Sequence, residues 1–243
     1  MSEQDKTRAG KKKYNDIFIT NSIYPEVNSI FKVNQTLEEI KGDCYIVLDT
    51  SILLLPYNTG KEGLSQIKKT YQKLISESRL IVPAQVAREF VKNRANKLID
   101  LYQSLKKKKN NSVKEVTYPL LESLSEYQEL IEIENIIEDK LKEYKKKIDK
   151  ILDHIQNWSW NDPVSLMYAE LFNDDVILST DIDEEEIKKD LERRQEYEIP
   201  PGYEDAPKPD SGVGDLLIWH GVLEVGRKYK KSVIFVSGEK KGD

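Results

Sequence analysis

Apolar residues recur along this chain in two rhythms, short β-rich runs and long stripes that step by three and four. The runs at 45–49 and 79–82 are too short and too β-rich to stand as free helices, so each predicts a strand. A third run, 232–237, predicts a buried strand near the end of the chain. Between the first two, Leu64, Ile67, Tyr71, Leu74 and Ile75 share one stripe and predict a helix over 62–77. Pro83 suits the first turn of the helix that follows. From there Ala87, Val91, Leu98, Tyr102 and Leu105 keep near-heptad spacing as far as the lysines at 106–109. Asn110, Asn111 and Ser112 break the pattern. Leu120, Leu124, Tyr127, Ile131, Ile137, Leu141, Tyr144, Ile148, Ile151 and Ile155 then step by three and four, interrupted at Glu134. An unbroken helix over 118–157 would span about 60 Å. Two such stripes joined by a short polar loop predict an antiparallel helical hairpin over 84–157.

The remaining pattern is less regular. Residues 36–39, Thr36 to Glu39, carry a helix N-cap pattern with acids in the first turn. Short helices are expected over 166–172 and, acidic and exposed, over 182–196. The stretch 199–212 holds four prolines and two glycines and reads as a loop, of a length usually tied to function. A helix is expected over 214–229. Residues 1–40 form an N-terminal extension, polar and disordered over 1–13, and 41–243 form the folded domain that carries the hairpin as an insertion.

Composition narrows the function classes. With 243 residues, 38% hydrophobic and 33% charged, the chain can bury a full core yet stays polar. No apolar stretch approaches the roughly 20 residues needed to cross a bilayer, and the first residues lack the apolar region of a secretory signal. A cytoplasmic protein with no membrane partner is the expectation. The single cysteine, Cys44, excludes an intrachain disulfide, fits a reducing compartment and reads as packing. A net charge of −5 counts against a general nucleic-acid binder, but its distribution is uneven. Over 92–114, Lys92, Arg94, Lys97, Lys106, Lys107, Lys108, Lys109 and Lys114 face only Asp100 in opposite charge. Such a run is either a solvated face or a contact for phosphates. Residues 170–205 are the acidic counterpart.

The chemistry rests on acids at the ends of apolar runs. Asp49 ends the first strand, Glu89 follows the second within a turn or two, and Asp215 opens the last helix. Glu239 and Asp243 follow the last strand. Groups just beyond the carboxyl ends of parallel strands share one crevice in an open α/β sheet, so scattered acids can converge. Carboxylate oxygens suit Mg²⁺ or Mn²⁺, and two such ions about 3.5–4 Å apart can drive phosphodiester hydrolysis. The hydroxyls of Thr50 and Ser51 can hold the Asp49 carboxylate or a phosphate. Each acid also has an ordinary reading: a helix N-cap for Asp49 and Asp215, an exposed helix acid for Glu89. Glu204, Asp205 and Asp210 are further loop candidates. With only two histidines, His154 read as surface and His220 as packing, a His/Cys zinc site does not fit. No nucleophile elbow, phosphate-cradling glycine loop or Cys-Xaa-Xaa-Cys pair is present.

Four segments then resemble the successive motifs of PIN-like domains. They are Tyr45-Ile-Val-Leu-Asp-Thr-Ser-Ile-Leu-Leu54, Ile81-Val-Pro-Ala-Gln-Val-Ala-Arg-Glu-Phe90, Gly214-Asp-Leu-Leu-Ile-Trp219 and Ile234-Phe-Val-Ser-Gly-Glu-Lys-Lys-Gly-Asp243. The chain is most similar to a bacterial PIN-like group with a large helical insertion, over about 40–100 and 200–243. The resemblance implies an α/β fold, a three-layer α/β/α sandwich around a mostly parallel sheet. It implies that Asp49, Glu89 and Asp215 bind Mg²⁺ or Mn²⁺, with Asp243 or Glu239 as fourth ligand. Glu239 stands where an aspartate is commoner, and that choice stays open.

The reading is a metal-dependent nuclease, an endoribonuclease on single-stranded RNA ahead of DNA. Lys106, Lys107, Lys108 and Lys109 at the hairpin tip would guide the backbone, and Thr50 and Ser51 would stand at the substrate. Proteins of this kind often serve as toxins or antiviral defence effectors. The hairpin is also a candidate surface for a protein partner or a second copy. The rivals are a PIN-like binding or scaffold module that no longer cleaves and, less well fitted, a phosphatase on a similar fold. Asp243 falls shortly after a buried strand, which leads to the expectation that the natural protein continues beyond it.

Overall fold

The structure, a computed structural model, describes residues 18–23, 27–32, 35–110, 116, 118–179, 183–203 and 212–238. In chain order its helices and strands are α1 (Ile19–Ile23), α2 (Leu37–Ile40), β1 (Tyr45–Leu48), α3 (Thr50–Leu54), α4 (Lys61–Ser76), β2 (Leu80–Pro83), α5 (Ala84–Lys109), α6 (Ser125–Gln156), α7 (Pro163–Leu171), β3 (Ile177–Leu178), α8 (Glu184–Tyr197), α9 (Val213–Tyr229) and β4 (Val233–Val236). The architecture is α/β, with one parallel sheet of strand order β3-β2-β1-β4. Among the described residues no helix is long and apolar enough to cross a membrane.

The central strand β2 is covered on both faces, as strands of a parallel α/β sheet usually are. All four residues of β2 are buried. By contrast β4, expected from its apolar run to be a buried strand, lies at the edge of the sheet with no buried residue and leaves Phe235 40% exposed. Ile46 lies opposite Leu80 and Val47 opposite Ile81, while Val82 and Pro83 pair with Ile177 and Leu178. On the other side of β1, the Tyr45 N–H donates to the Ser232 carbonyl and the Asp49 N–H to the Val236 carbonyl, each at 3.0 Å. The chain thus leaves β1 for β2 and β3 on one side and returns to β4 on the other. That reversal puts a topological switch point at the carboxyl ends of β1 and β4, where α/β sheets open a crevice.

Two compact units divide the chain. The larger, Ile46–Leu178 with Phe235–Asp243, holds β2, β3, all of β1 but Tyr45, and the second half of β4. Its core joins Val47, Leu48, Ile81 and Val82 to Leu53, Val86 and Phe90. An aromatic layer continues it. Tyr168 stacks on Phe172 at 4.7 Å and meets Phe90 edge-on at 5.3 Å, and its hydroxyl donates to the Leu53 carbonyl at 2.8 Å. Burial pushes the Tyr71 phenol beside it up to about 12.

Arg94 sits in this interior. Val86, Phe90 and Arg94, four apart, are the buried residues of α5, whereas Val91 is 53% exposed. The first half of the near-heptad stripe expected over this helix is therefore displaced by one position, from Ala87 and Val91 to Val86 and Phe90, while Leu98, Tyr102 and Leu105 are half-buried as expected. Arg94 leaves the basic face for the core. Its guanidinium meets Asp162 Oδ2 through Nε at 3.0 Å and Nη2 at 2.6 Å, and donates to Ser165 Oγ at 2.8 Å. Nη2 also donates to the Ser159 carbonyl, and Trp160 covers the group at 4.4 Å. Asp162 is fully buried and caps α7, accepting from the Val164 and Ser165 N–H groups at 3.1 and 3.0 Å. The Tyr57 hydroxyl donates to it at 3.0 Å, and burial pushes that phenol up to about 12, so it stays a donor.

The helices α5 and α6 run antiparallel. Gln156 donates to the Tyr102 hydroxyl at 3.1 Å, and Lys109 meets Asp149 at 2.6 Å. The seam is short, since only Ile148, Leu152 and Ile155 at the far end of α6 and Tyr127 near its start are buried. Because Lys109 lies level with Asp149, residues 125–148 run on beyond the last turn of α5. The lysines thus end α5 partway along α6 rather than standing at a tip.

The smaller unit, Met1–Tyr45 with Ser179–Ile234, packs α8 against α9. Ile187, Leu216, Ile218, Val222 and Val225 are buried in it, as is Cys44, which agrees with a packing role. Tyr45 stacks on Tyr229 at 4.3 Å, and Lys231 pairs with Asp43. Asp183 caps α8, and the short α2 follows Thr36, whose N–H donates to Glu39 at 2.7 Å. The expected loop over 199–212 is described only at 199–203 and Gly212.

Removing one partner of a buried ion pair strands the other charge, at a cost of about 3–5 kcal/mol. Arg94→Met and Asp162→Asn are each expected to lower unfolding free energy in urea by about that amount. Burial alone would raise the Asp162 carboxyl, but the bonds from Ser165, Arg94 and Tyr57 outweigh it and hold the group below the usual aspartate value. A depressed folded value contributes stability above the ordinary pKa of about 3.9, and that stability is lost as pH falls through the folded value. The wild-type protein should therefore lose stability steeply below about pH 4, and Asp162→Asn less steeply. Equal slopes in the two proteins would contradict this role for Asp162.

Candidate active site

Asp49 stands where β1 ends and α3 begins, in extended conformation at φ −86° and ψ 161°. Its position is that of an N-cap, and its carbonyl accepts from the Ile52 N–H at 3.1 Å. Its carboxylate caps nothing. Instead the Ser51 hydroxyl donates to Oδ2 at 2.5 Å and the Ser237 hydroxyl to the same oxygen at 2.8 Å. The Gly238 N–H donates to Ser51 Oγ at 2.9 Å. The residues leaving β4 thus grip the residues leaving β1, at the switch point of the sheet. Among the described residues, Asp49 Oδ1 accepts no hydrogen bond.

Glu89 joins through the residue between. Thr50 is buried, and its hydroxyl donates to Glu89 Oε2 at 2.8 Å. Gln85, one helical turn earlier on α5, donates to Glu89 Oε1 at 3.1 Å. The carboxylate is half-buried. The segment 49–51 thereby connects two carboxylates, one by its own side chain and one by a hydroxyl. Ser237, Gln85 and Gly238 had no assigned role from sequence. Gln85 was detectable from its four-residue spacing to Glu89, whereas the grip of Ser237 depends on the pairing of β4 with β1.

Asp215 is an exposed side chain in the first turn of α9, in the smaller unit. It is not the N-cap: that place falls to Gly212, at φ 76°, a left-handed conformation that suits glycine. An acid in a first turn still favours the helix dipole. Glu239 and Asp243 lie outside the described residues, as do Glu204, Asp205, Asp210 and Lys114. Lys106, Lys107 and Lys108 are exposed at the end of α5, and Lys109 is half-buried against Asp149. His154 is exposed, edge-on to Trp158, and His220 lies 3.3 Å from Asp190, which Arg193 and Arg194 also hold.

The donor set suits a hard divalent cation in kind. Asp49 and Glu89 offer carboxylate oxygens at the sheet's crevice, held among the described residues by hydroxyls and one side-chain amide and by no cationic side chain, which is the chemistry such ions select. Among the described residues, no group of three or more His, Cys, Asp or Glu gathers to hold an ion. The larger unit therefore presents two acids of such a site, with Asp215 in the other unit.

Residues 45–243 match the family model described as PIN like domain. No curated protein and no solved structure matches the chain. The matched stretch begins with β1 and takes in Asp49, Glu89 and Asp215.

Thr50→Val removes the buried hydroxyl that Glu89 accepts from while keeping the β-branched shape. A net loss of about 1 kcal/mol is expected in urea unfolding. Unchanged stability would show that water or another donor takes over the bond without cost.

Proposed function

Since the chain belongs to the PIN-like domain family, whose members are generally metal-dependent nucleases, we propose that it is an endoribonuclease cutting single-stranded RNA with Mg²⁺ or Mn²⁺. The observation that carries this reading is the Asp49 carboxylate. It sits at the switch point of the sheet, is gripped by Ser51 and Ser237, and is not spent on capping the helix it precedes. An acid so placed, with Glu89 tied to the same segment, is arranged for a ligand that prefers oxygen.

In this reading Asp49 and Glu89 hold the ion, with Asp215 as the third acid by its family position and Glu239 or Asp243 as the fourth. Bound there, Mg²⁺ or Mn²⁺ supplies Lewis-acid stabilisation of charge on the phosphate and the attacking water. The protein's part is positional. Ser51 and Ser237 fix one carboxylate, Thr50 and Gln85 fix the other, and the rotamers of both are locked from behind, as a competent site requires. The exposed ammonium groups of Lys106, Lys107 and Lys108 would follow the phosphate backbone, an attraction that weakens with salt. Service as a toxin or defence effector, and a cytoplasmic location, belong to the same proposal and rest on the family resemblance. One feature favours a second reading, a binding module that no longer cleaves: Glu239 stands where the family more often has aspartate.

The test is incubation of the pure protein with end-labelled single-stranded RNA and DNA in Mn²⁺, Mg²⁺ or EDTA. RNA cleavage is expected with either metal, none in EDTA, and none with Asp49→Asn. RNA left intact under all conditions, or wild-type turnover by Asp49→Asn, would overturn the enzyme reading. Replacing Lys106, Lys107 and Lys108 by glutamate should weaken RNA binding and flatten its salt dependence, by a slope of roughly 0.7 for each phosphate no longer neutralised. Unchanged affinity at low salt would make those lysines a solvated surface.

A further inference from the structure

The last third of α6 packs on α5 through Ile148, Leu152 and Ile155, but the same stripe continues uncovered toward the start of the helix. Leu130, Ile133, Ile137 and Tyr144 are 46%, 53%, 42% and 41% exposed, and Leu141 is half-buried. Residues 125–148 project past the level of Lys109 for about 36 Å, so α5 cannot cover this face. Exposed apolar side chains repeating at helical spacing are a signature of a missing partner.

The charges say which partner. Over 125–139 the helix carries six acids and no base, and over 140–150 it carries six lysines and two acids. A helix negative along one half and positive along the next repels a parallel copy of itself and attracts an antiparallel one. The apolar stripe has the matching symmetry. Leu130, Ile133, Ile137, Leu141 and Tyr144 are separated by three, four, four and three residues, a series that reads the same from either end.

We propose that two copies of this chain pair antiparallel through α6, about a twofold axis at Ile137. Leu130 of each copy then lies opposite Tyr144 of the other, Ile133 opposite Leu141, and Ile137 opposite itself. The same register sets Glu129 against Lys145, Glu132 against Lys142 and Glu134 against Lys140. Such an interface is isologous and closes at two copies. Within one helix Lys142 already meets Glu138 and Asp139 at 3.3 and 3.4 Å, and Lys140 meets Glu143 at 3.3 Å. Those ties are solvent-exposed and weak enough to exchange. The interface lies along α6 and does not depend on the nuclease reading.

The test uses the full chain in sedimentation velocity and light scattering over a wide concentration range. The wild-type mass should approach twice 28.2 kDa as concentration rises. Ile137→Glu, on an exposed position, should leave a folded monomer by far-UV circular dichroism. Glu129→Lys/Glu132→Lys/Glu134→Lys and Lys140→Glu/Lys142→Glu/Lys145→Glu should each be monomeric alone and pair when mixed. Orientation is read by disulfide trapping, where a Leu130→Cys chain should link to a Tyr144→Cys chain faster than to another Leu130→Cys chain. A monomer at every concentration would overturn the proposal. So would a dimer that survives either charge-reversed triple, or preferential linking of position 130 to itself.

Discussion

A guanidinium taken out of water demands a full set of acceptors, and Arg94 obtains its set by drawing together segments far apart in sequence. Asp162, Ser165 and the Ser159 carbonyl all close on it, and Trp160 seals the outer side. The bond is mutual, because Asp162 simultaneously caps α7 and accepts from Tyr57. One buried pair thereby fixes α5, the start of α7 and the turn after α3 to one another. Glu89 lies about one and a half turns before Arg94 on the same helix, so the ion pair also sets where that carboxylate is held. Anchoring through a charged pair is costly in desolvation and is not the most stabilising way to fill a core. What it contributes is a defined register for α5, since Arg94 is the one charged residue of that helix turned into the core.

The second constraint is topological. A parallel sheet whose chain returns to the opposite side of its first strand leaves a crevice at the carboxyl ends, and β1 and β4 meet there. Asp49 is placed at that edge by the end of its strand, with its backbone carbonyl starting α3 and its side chain turned to hydroxyls. Two serines share one carboxylate oxygen, and no other described residue donates to the second. Thr50 does the corresponding work toward Glu89 from a buried position. Placement by strand ends and immobilisation by hydroxyls are separable features, and it is their combination in 49–51 that makes this segment the centre of the candidate site.

Much of this was legible from periodicity. The runs at 45–49, 79–82 and 232–237 and the stripe over 62–77 became β1, β2, β4 and α4 within a residue or two, because a continuous β-rich run suits a strand inside a sheet and a stripe suits one face of a helix. The two-residue β3 was not, since a pair of apolar residues has no period; only its neighbour β2 makes Ile177 and Leu178 a strand. Arg94 was grouped with the lysines because charge is visible in sequence and burial is not. The long stripe of α6 signalled an amphipathic helix correctly but not its cover, which α5 supplies only near one end. At the site, Asp49 and Glu89 could be picked out from their positions after apolar runs. Ser237 could not, because its role arises from β4 lying beside β1. For Asp215 the helix begins earlier than its Gly-Asp signal suggests, at Val213, so the cap reading falls to Gly212.

The central claim is that Asp49 and Glu89 together form a divalent-cation site at the crevice of the sheet. Crystals of the protein grown with Mn²⁺ and measured at the manganese absorption edge test it most directly. An anomalous difference peak within coordination distance of both the Asp49 and Glu89 carboxylates is the predicted result. A map with manganese bound only elsewhere on the molecule, or with both carboxylates still closed on Ser51, Ser237 and Thr50 and no peak between them, would contradict it.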